Sequence, residues 1–221
     1  GDSFTVSGTA TFASKTYGVG KTVTATGIAL TGTDSGNYTH NTTASTTATI
    51  NKKSLTVTIT ASNKTYDRTT SASVTYADDR IAGDVLTVSG TATFPDKNVG
   101  TGKTVTATGI AITGTDSGNY TQNTTAATTA DITAKSLAVT ISASNKTYDQ
   151  TASASVTYAD NRIAGDVLTI SGTATFPDKN VGTARTVTAS GITLTGTDAG
   201  NYTQNTTTTA TANITSRSLS V

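Results

Sequence analysis

Cysteine, glutamate, methionine and tryptophan are missing from this 221-residue sequence, and histidine occurs once. Without cysteine there is neither a disulfide framework nor a thiol nucleophile. With no glutamate or methionine, and only three glutamines, straight-chain helix formers are scarce, and no window carries a helical stripe. Fifteen basic residues stand against fourteen acidic ones, a net +1 that leaves no electrostatic footprint for nucleic acid or a lipid surface. No apolar run approaches the roughly 18 residues of a membrane-spanning helix. Threonine fills the space instead, at 57 of 221 positions. It is β-branched, stiff at χ1, and suited to a half-buried pleated surface.

A period of 82 residues, without insertion or deletion, organises the chain: Phe12, Phe94 and Phe176 superpose, as do Tyr38, Tyr120 and Tyr202. Residues 54–135 match 136–217 at 64 of 82 positions. The expected organisation is a partial repeat at 1–53, complete repeats at 54–135 and 136–217, and the start of another at 218–221. The chain begins mid-pattern at Gly1-Asp2-Ser3 and reads as a piece of something longer. An 82-residue period exceeds the roughly 20–50 residues of solenoid units and suits a bead that buries its own core.

Period-2 alternation places the strands. Leu55, Val57 and Ile59 line one face of a first strand, with Thr56, Thr58 and Thr60 on the other. Ala72, Val74 and Tyr76 mark a second strand, and Leu86 to Phe94 a third with strict parity. Val105 and Ala107 open a fourth strand, but Ile110 and Ile112 fall in the opposite parity, which predicts a β-bulge at Gly109. Thr128, Ala130 and Ile132 make the last strand, running through Lys135 into Leu137. The expected fold is all-β: tandem antiparallel, immunoglobulin-like β-sandwich modules in an elongated array.

Asn63-Lys64-Thr65-Tyr66-Asp67, Phe94-Pro95-Asp96-Lys97-Asn98-Val99-Gly100, Gly118-Asn119-Tyr120 and Ile132-Thr133-Ala134-Lys135 recur at matching places in the next repeat. This series resembles the YDG repeat and its relatives among the bacterial immunoglobulin-like repeats of filamentous-haemagglutinin-like and other large adhesins. The resemblance implies a surface-exposed spacer that carries a binding tip outward, with no catalytic centre. One departure stands out: the glycine of the Tyr-Asp-Gly triplet is Arg68 in one repeat and Gln150 in the other. A turn needing positive φ is disfavoured there, so a differently shaped corner is expected.

Candidate chemistry is sparse. His40 aligns with Gln122 and Gln204 and reads as an exposed loop residue. Asp78, Asp79 and Asp84 share a loop whose hard oxygens suit Ca²⁺, although Asp79 becomes Asn161 in the next repeat. Tyr66, Asp67, Asn119, Tyr120, Tyr148, Asp149, Asn201 and Tyr202 read as structural corner residues, with rings buried and the neighbouring Asp or Asn closing a turn. Asn37, Asn41, Asn63, Asn119, Asn123, Asn145, Asn201, Asn205 and Asn213 each precede x-Thr and are formal glycosylation sequons.

The function expected from this reading is a structural spacer or stalk segment of a bacterial cell-surface adhesin, extracellular, monomeric, and not an enzyme. Its partners are the adjacent repeats, with any host or matrix ligand bound elsewhere in the parent protein; neither nucleic acid nor membrane insertion is expected. The alternative is a ligand-binding module for glycan, ice or host protein that uses its Thr-rich strand faces.

Overall fold

In a computed structural model, which describes residues 1–220, the chain is built of β-strands and three one-turn 3-10 helices at Ser35–Asn37, Ser117–Asn119 and Ala199–Asn201. Its contacts gather into two compact units. The first comprises Gly1–Ile59, Thr75–Thr91 and Ala107–Ala126, and the second Thr60–Val74, Ala92–Thr106 and Ala127–Val221.

In the first unit the strands Thr5–Phe12, Gly18–Thr31 and Thr43–Ile50 form an antiparallel sheet with the longest strand in the centre. Lys53–Leu55 pairs in parallel with Tyr120–Gln122. Leu55, Val57, Ile59, Ala107 and Ile110 are buried there, so the parity predicted for the first strand matches the observed burial. Phe12 is 42% exposed, whereas its counterparts Phe94 and Phe176 are each 2% exposed. The segment that supplies Leu55, Val57 and Ile59 to a complete repeat has no counterpart in residues 1–53.

The second unit contains a complete repeat. Its four-stranded sheet runs Lys146–Thr147, Thr207–Thr215, Gly182–Thr195, Thr169–Thr175. The first pair is parallel and the others antiparallel. Thr140–Ala143 and Val156–Ala159 form an antiparallel pair, and Lys135–Leu137 lies parallel to Tyr202–Gln204. The inward residues Leu137, Val139, Phe176, Val187, Ala189, Ile192 and Ile214 are each no more than 2% exposed. Burying each large aliphatic chain contributes about 1.5–3 kcal/mol, the main offset to backbone ordering. The middle repeat has the same strand order, Lys64–Thr65, Thr125–Thr133, Gly100–Thr113, Thr87–Thr93.

The bulge lies where the parity change predicts it. Across the pair Thr169–Thr175 and Gly182–Thr195 the register slips between Ser171 and Thr173, opposite Thr193 and Ser190, which places one extra residue beside Gly191. Gly27, Gly109 and Gly191 have φ of 61, 62 and 61°, a conformation that glycine adopts without cost.

Two local features differ from the sequence reading. The first strand of each complete repeat is split. In the middle repeat Lys53–Leu55 ends, Thr56 intervenes, and Val57–Ala61 begins. At the break the Thr56 amide donates to Asp79 Oδ1 (2.7 Å), and the Val57 amide to Asn123 Oδ1 (2.7 Å). Side-chain acceptors thus satisfy the amides that the ladder releases. The corner at Arg68 and Gln150 also departs from expectation. Both residues hold φ near +70° (68° and 70°), so the left-handed turn persists without glycine.

Ala184 is the third non-glycine residue with positive φ, at 47°, where the other repeats have Gly20 and Gly102. Its amide donates to Asn213 Oδ1 (2.7 Å), which fixes the turn against the Cβ penalty. Ala184→Gly is expected to raise the urea unfolding midpoint by an amount equivalent to roughly 1 kcal/mol.

Tyr76 and Tyr158 carry buried hydroxyls with no hydrogen-bond partner among the described residues. Each hydroxyl lies 2.8–2.9 Å from where a Cβ on Gly90 or Gly172 would stand, so these glycines make room for the phenols. Removing an unpaired buried hydroxyl relieves its desolvation penalty. Tyr158→Phe is therefore expected to leave thermal stability unchanged or raise it by about 1 kcal/mol.

Candidate functional site: the junctions between repeats

The recurrent motifs converge where one repeat meets the next. The junction between the repeats at 54–135 and 136–217 lies wholly inside the second unit. The earlier repeat supplies the corner Tyr66-Asp67-Arg68 and the loop Asp96 to Val99; the later one supplies the loop Ile163 to Asp166 and the 3-10 turn before Tyr202.

Asp166 is the centre, with its side chain 0% exposed. The Tyr202 hydroxyl donates to its Oδ2 (2.6 Å), and the Tyr66 hydroxyl to its Oδ1 (3.1 Å). Arg68 Nε lies 3.0 Å from the same Oδ1, while its two Nη groups donate to the carbonyls of Ala164 (3.0 Å) and Gly165 (3.1 Å). Lys97 Nζ sits 3.6 Å from Asp166 and 2.5 Å from Asp198. A buried carboxylate is tolerable when charge and donors surround it, as they do here. The Tyr66 and Tyr202 rings meet edge to face, centroids 5.5 Å apart at 74°. Asn201, 3% exposed, accepts the Val99 amide (2.9 Å) and donates to Asn98 Oδ1 (3.2 Å).

Each loop is shaped before it meets its neighbour. Lys103 donates to Asp96 (2.6 Å) and to the Asn98 carbonyl (2.8 Å), closing the Asp96–Asn98 bend from behind. Asp67 accepts the Thr69 amide (2.9 Å) and pairs with Lys64 (2.8 Å), fixing the corner that carries Arg68. Within the later repeat, the Val167 amide donates to Asp198 Oδ2 (2.9 Å), and the Ile163 amide to the Tyr202 hydroxyl oxygen (2.9 Å).

The first unit holds the same arrangement at the junction of residues 1–53 with the middle repeat. Lys15 meets Asp84 (3.0 Å) and Asp116 (3.3 Å), the Tyr17 amide donates to Asn119 Oδ1 (2.8 Å), and the Tyr120 hydroxyl donates to Asp84 (2.7 Å). Lys15, Tyr17, Asp84, Asp116, Asn119 and Tyr120 are the period-82 counterparts of Lys97, Val99, Asp166, Asp198, Asn201 and Tyr202. A cavity of about 280 Å³ lies against Lys15, Tyr17, Asp84 and Tyr120. Residues 1–53 contain no counterpart of Tyr66 or Arg68.

The charges shift one another as the geometry requires. The Lys97 ammonium holds the Asp198 carboxyl below its ordinary 3.8, and Lys97 is raised in turn, first by Asp198. Asp84 is lowered by the Tyr120 hydroxyl and by Lys15. Burial, with Asp166 beside it, pushes Tyr202 up to about 12. Depressed carboxylates stabilise fully above 3.8, and that contribution is lost as pH falls through their folded values. Raised Lys97 and Tyr202 contribute fully below about 10 and lose that contribution as pH rises through theirs. Melting temperature followed by circular dichroism is expected to stay level from about pH 5 to 9, falling below about 4 and above about 10.

The other sequence-selected residues have separate engagements. Asp78 grips Arg80, with Oδ1 to Nε at 2.8 Å and Oδ2 to Nη2 at 2.5 Å. Asp79 takes the Thr56 amide and lies 3.5 Å from Lys53, and Asp84 faces Tyr120 and Lys15. The three carboxylates are thus not gathered round a common point, and no grouping of three or more His, Cys, Asp or Glu suited to a metal occurs among the described residues. Asn123 grips Val57 through both amide and carbonyl, and Asn205 does the same at Val139, so these side-chain amides imitate a strand neighbour. Asn63 accepts the Asp131 amide and Asn145 the Asn213 amide (2.7 Å each). Asn119 and Asn201 hold the junctions, Asn41 donates to the Thr43 carbonyl, and Asn37 is exposed. His40 contacts the Ile28 carbonyl through Nε2 (3.0 Å), as Gln122 and Gln204 contact Ile110 and Ile192. Tyr148 and Asp149 occupy the places of Tyr66 and Asp67, and Asp149 is lowered to about 2, chiefly by Lys146.

The outer sheet face of the last repeat carries exposed hydroxyls in two rows across three strands, Thr173–Ser190–Thr207 and Thr175–Thr188–Thr209, and one across two, Thr186–Thr211.

The family model of the YDG domain matches residues 1–48, 51–129 and 133–211. No curated protein and no solved structure matches the chain.

Proposed function

Because the chain belongs to the YDG domain family, we propose that it is a spacer segment of a large bacterial cell-surface adhesin, extracellular and without catalysis or a resident cofactor, holding a binding tip away from the cell. The observation that carries this reading is the duplicated junction. At two places 82 residues apart, the most recognisable residues of the repeat are spent on holding one copy to the next. Chemistry placed at every join, rather than in a cleft, suits a part whose task is mechanical continuity.

Single-molecule stretching tests it. Each complete repeat should release one step of about 230–260 Å, since 82 residues extend at roughly 3.3–3.6 Å each, about 270–295 Å, less a folded length of about 35–45 Å. Smooth extension without discrete steps would sink the proposal.

The hydroxyl rows on the last repeat favour one other reading, a face that binds a glycan or an ordered hydroxylated surface. Sheet twist sets a limit on such a face, since neighbouring strands rotate by about 20–25°. Glycan-array binding or thermal hysteresis by the intact chain, abolished when Thr175, Thr188 and Thr209 are changed together to lysine, would establish it over the spacer.

A further inference from the structure

We propose that this chain pairs sideways with a second copy of itself, the edge strand Thr169–Thr175 of one molecule lying antiparallel to the same strand of the other about Ser171. That strand is the outermost of its four-stranded sheet. In an antiparallel ladder alternate residues turn their main-chain groups to opposite sides. The even-numbered residues here turn outward. The Phe176 amide donates to the Ala152 carbonyl (2.7 Å), and the Ala174 carbonyl accepts the Ala154 amide (3.0 Å). Residues 152–154 thereby cover the second half of the edge, with a bridge between Ser153 and Thr175.

The first half is open. By the same alternation the N–H and C=O groups of Ile170 and Gly172 point outward, and among the described residues nothing pairs with them on that side. Thr169, Ser171, Gly172 and Thr173 are exposed. Charge and proline are the usual guards of such an edge, and Thr-Ile-Ser-Gly-Thr-Ala-Thr has neither. The middle repeat carries the same device in Thr87–Thr93. There the Phe94 amide donates to Thr70 (2.8 Å) and the Ala72 amide to Ala92 (3.0 Å), while nothing covers Val88 and Gly90.

A second copy of the strand answers this edge group for group. Set antiparallel about Ser171, Ile170 of each molecule stands opposite Gly172 of the other. Each such pair exchanges two hydrogen bonds, about four in all. The bulky Ile170 faces a residue without a side chain, so no two large groups compete for one place. On the outer face Ser171 meets Ser171 and Thr169 meets Thr173, hydroxyl against hydroxyl. A net charge of +1 leaves little repulsion between copies. The contact is isologous, since one two-fold axis through Ser171 relates both halves. So short a pairing does not by itself offset the cost of bringing two free molecules together. It therefore acts between crowded chains and leaves the monomer expected at dilution.

Cysteine trapping on the whole chain is the test. The sequence has no cysteine, so Ser171→Cys introduces a single thiol. Facing residues of a non-hydrogen-bonded pair have Cα atoms about 4.5 Å apart, within the range a disulfide spans. Under mild oxidation at high protein concentration, linked dimer should form about tenfold faster than from Thr209→Cys, an exposed site two strands in on the same face. Adding Thr169→Lys and Thr173→Lys sets like charges opposite each other and should bring the rate down to that of the control. The same two lysines in the Thr209→Cys chain should change little. Melting curves of the reduced variants verify their folds, and Ser89→Cys carries an independent copy of the test into the middle repeat. Dimer forming at the control rate from both cysteine variants, or a rate indifferent to the lysines, would overturn the proposal and leave the edge to a strand of another protein.

Discussion

Asp166→Ala should lower the stability of the chain by about 3–5 kcal/mol in urea titration. The carboxylate is completely covered, and it gathers two phenol hydroxyls and a guanidinium, with the Lys97 ammonium close by. Deleting it strands these donors where water does not replace the lost acceptor, so the loss exceeds the worth of any one bond. Asp166→Asn keeps an acceptor for one tyrosine but removes the negative charge, and an intermediate loss of about 1.5–3 kcal/mol is expected. Equal losses for the two variants would mean that charge plays no part in the junction.

Tyr66→Ala should have a comparable effect, about 3–5 kcal/mol, for a different reason. The ring is 2% exposed and abuts Tyr202 edge to face, so truncation leaves a hole in the junction that polar neighbours cannot fill. Tyr66→Phe retains the ring and loses one hydrogen bond, which costs about 1 kcal/mol. A large gap between the two variants identifies packing as the greater contribution of Tyr66. Near-equal values would assign that role to the hydroxyl.

The strands and the bulge were legible in the sequence because they are local. Alternation over Leu55-Val57-Ile59 and the parity change between Ala107 and Ile110 report on a single pleated surface, and a period of two leaves little freedom. The split at Thr56 was not legible. It depends on Asp79 and Asn123, which lie 23 and 66 residues away and carry no pattern that links them to Thr56 and Val57. The sequons illustrate the same difficulty: Asn123 and Asn205 stand in glycosylation triplets, yet their amides serve as backbone surrogates. The residues of the junction were visible as motifs, but their meeting was not. Tyr66 finds Asp166 across 100 residues and Val99 finds Asn201 across 102, separations longer than one period, so a reading confined to one repeat assigns each tyrosine to its own corner. Arg68 showed the limit of propensity. The left-handed conformation costs about 1–2 kcal/mol, yet Gln150 adopts it too, and what both corners share is the Asp67 or Asp149 carboxylate closing the turn on the Thr69 or Thr151 amide.

That exchange at Arg68 sets how far folding is shared along a tandem array. In a linear chain of repeats, stability is the sum of each unit's own free energy and a coupling to its nearest neighbours. A strong coupling makes several units melt as one, and a weak coupling lets them melt singly. Arg68 strengthens the coupling between the two complete repeats, while Gln150 holds the same backbone conformation without a guanidinium. A single side chain per period thus writes the cooperative length of the array, and substitutions there alter it without disturbing any hydrophobic core.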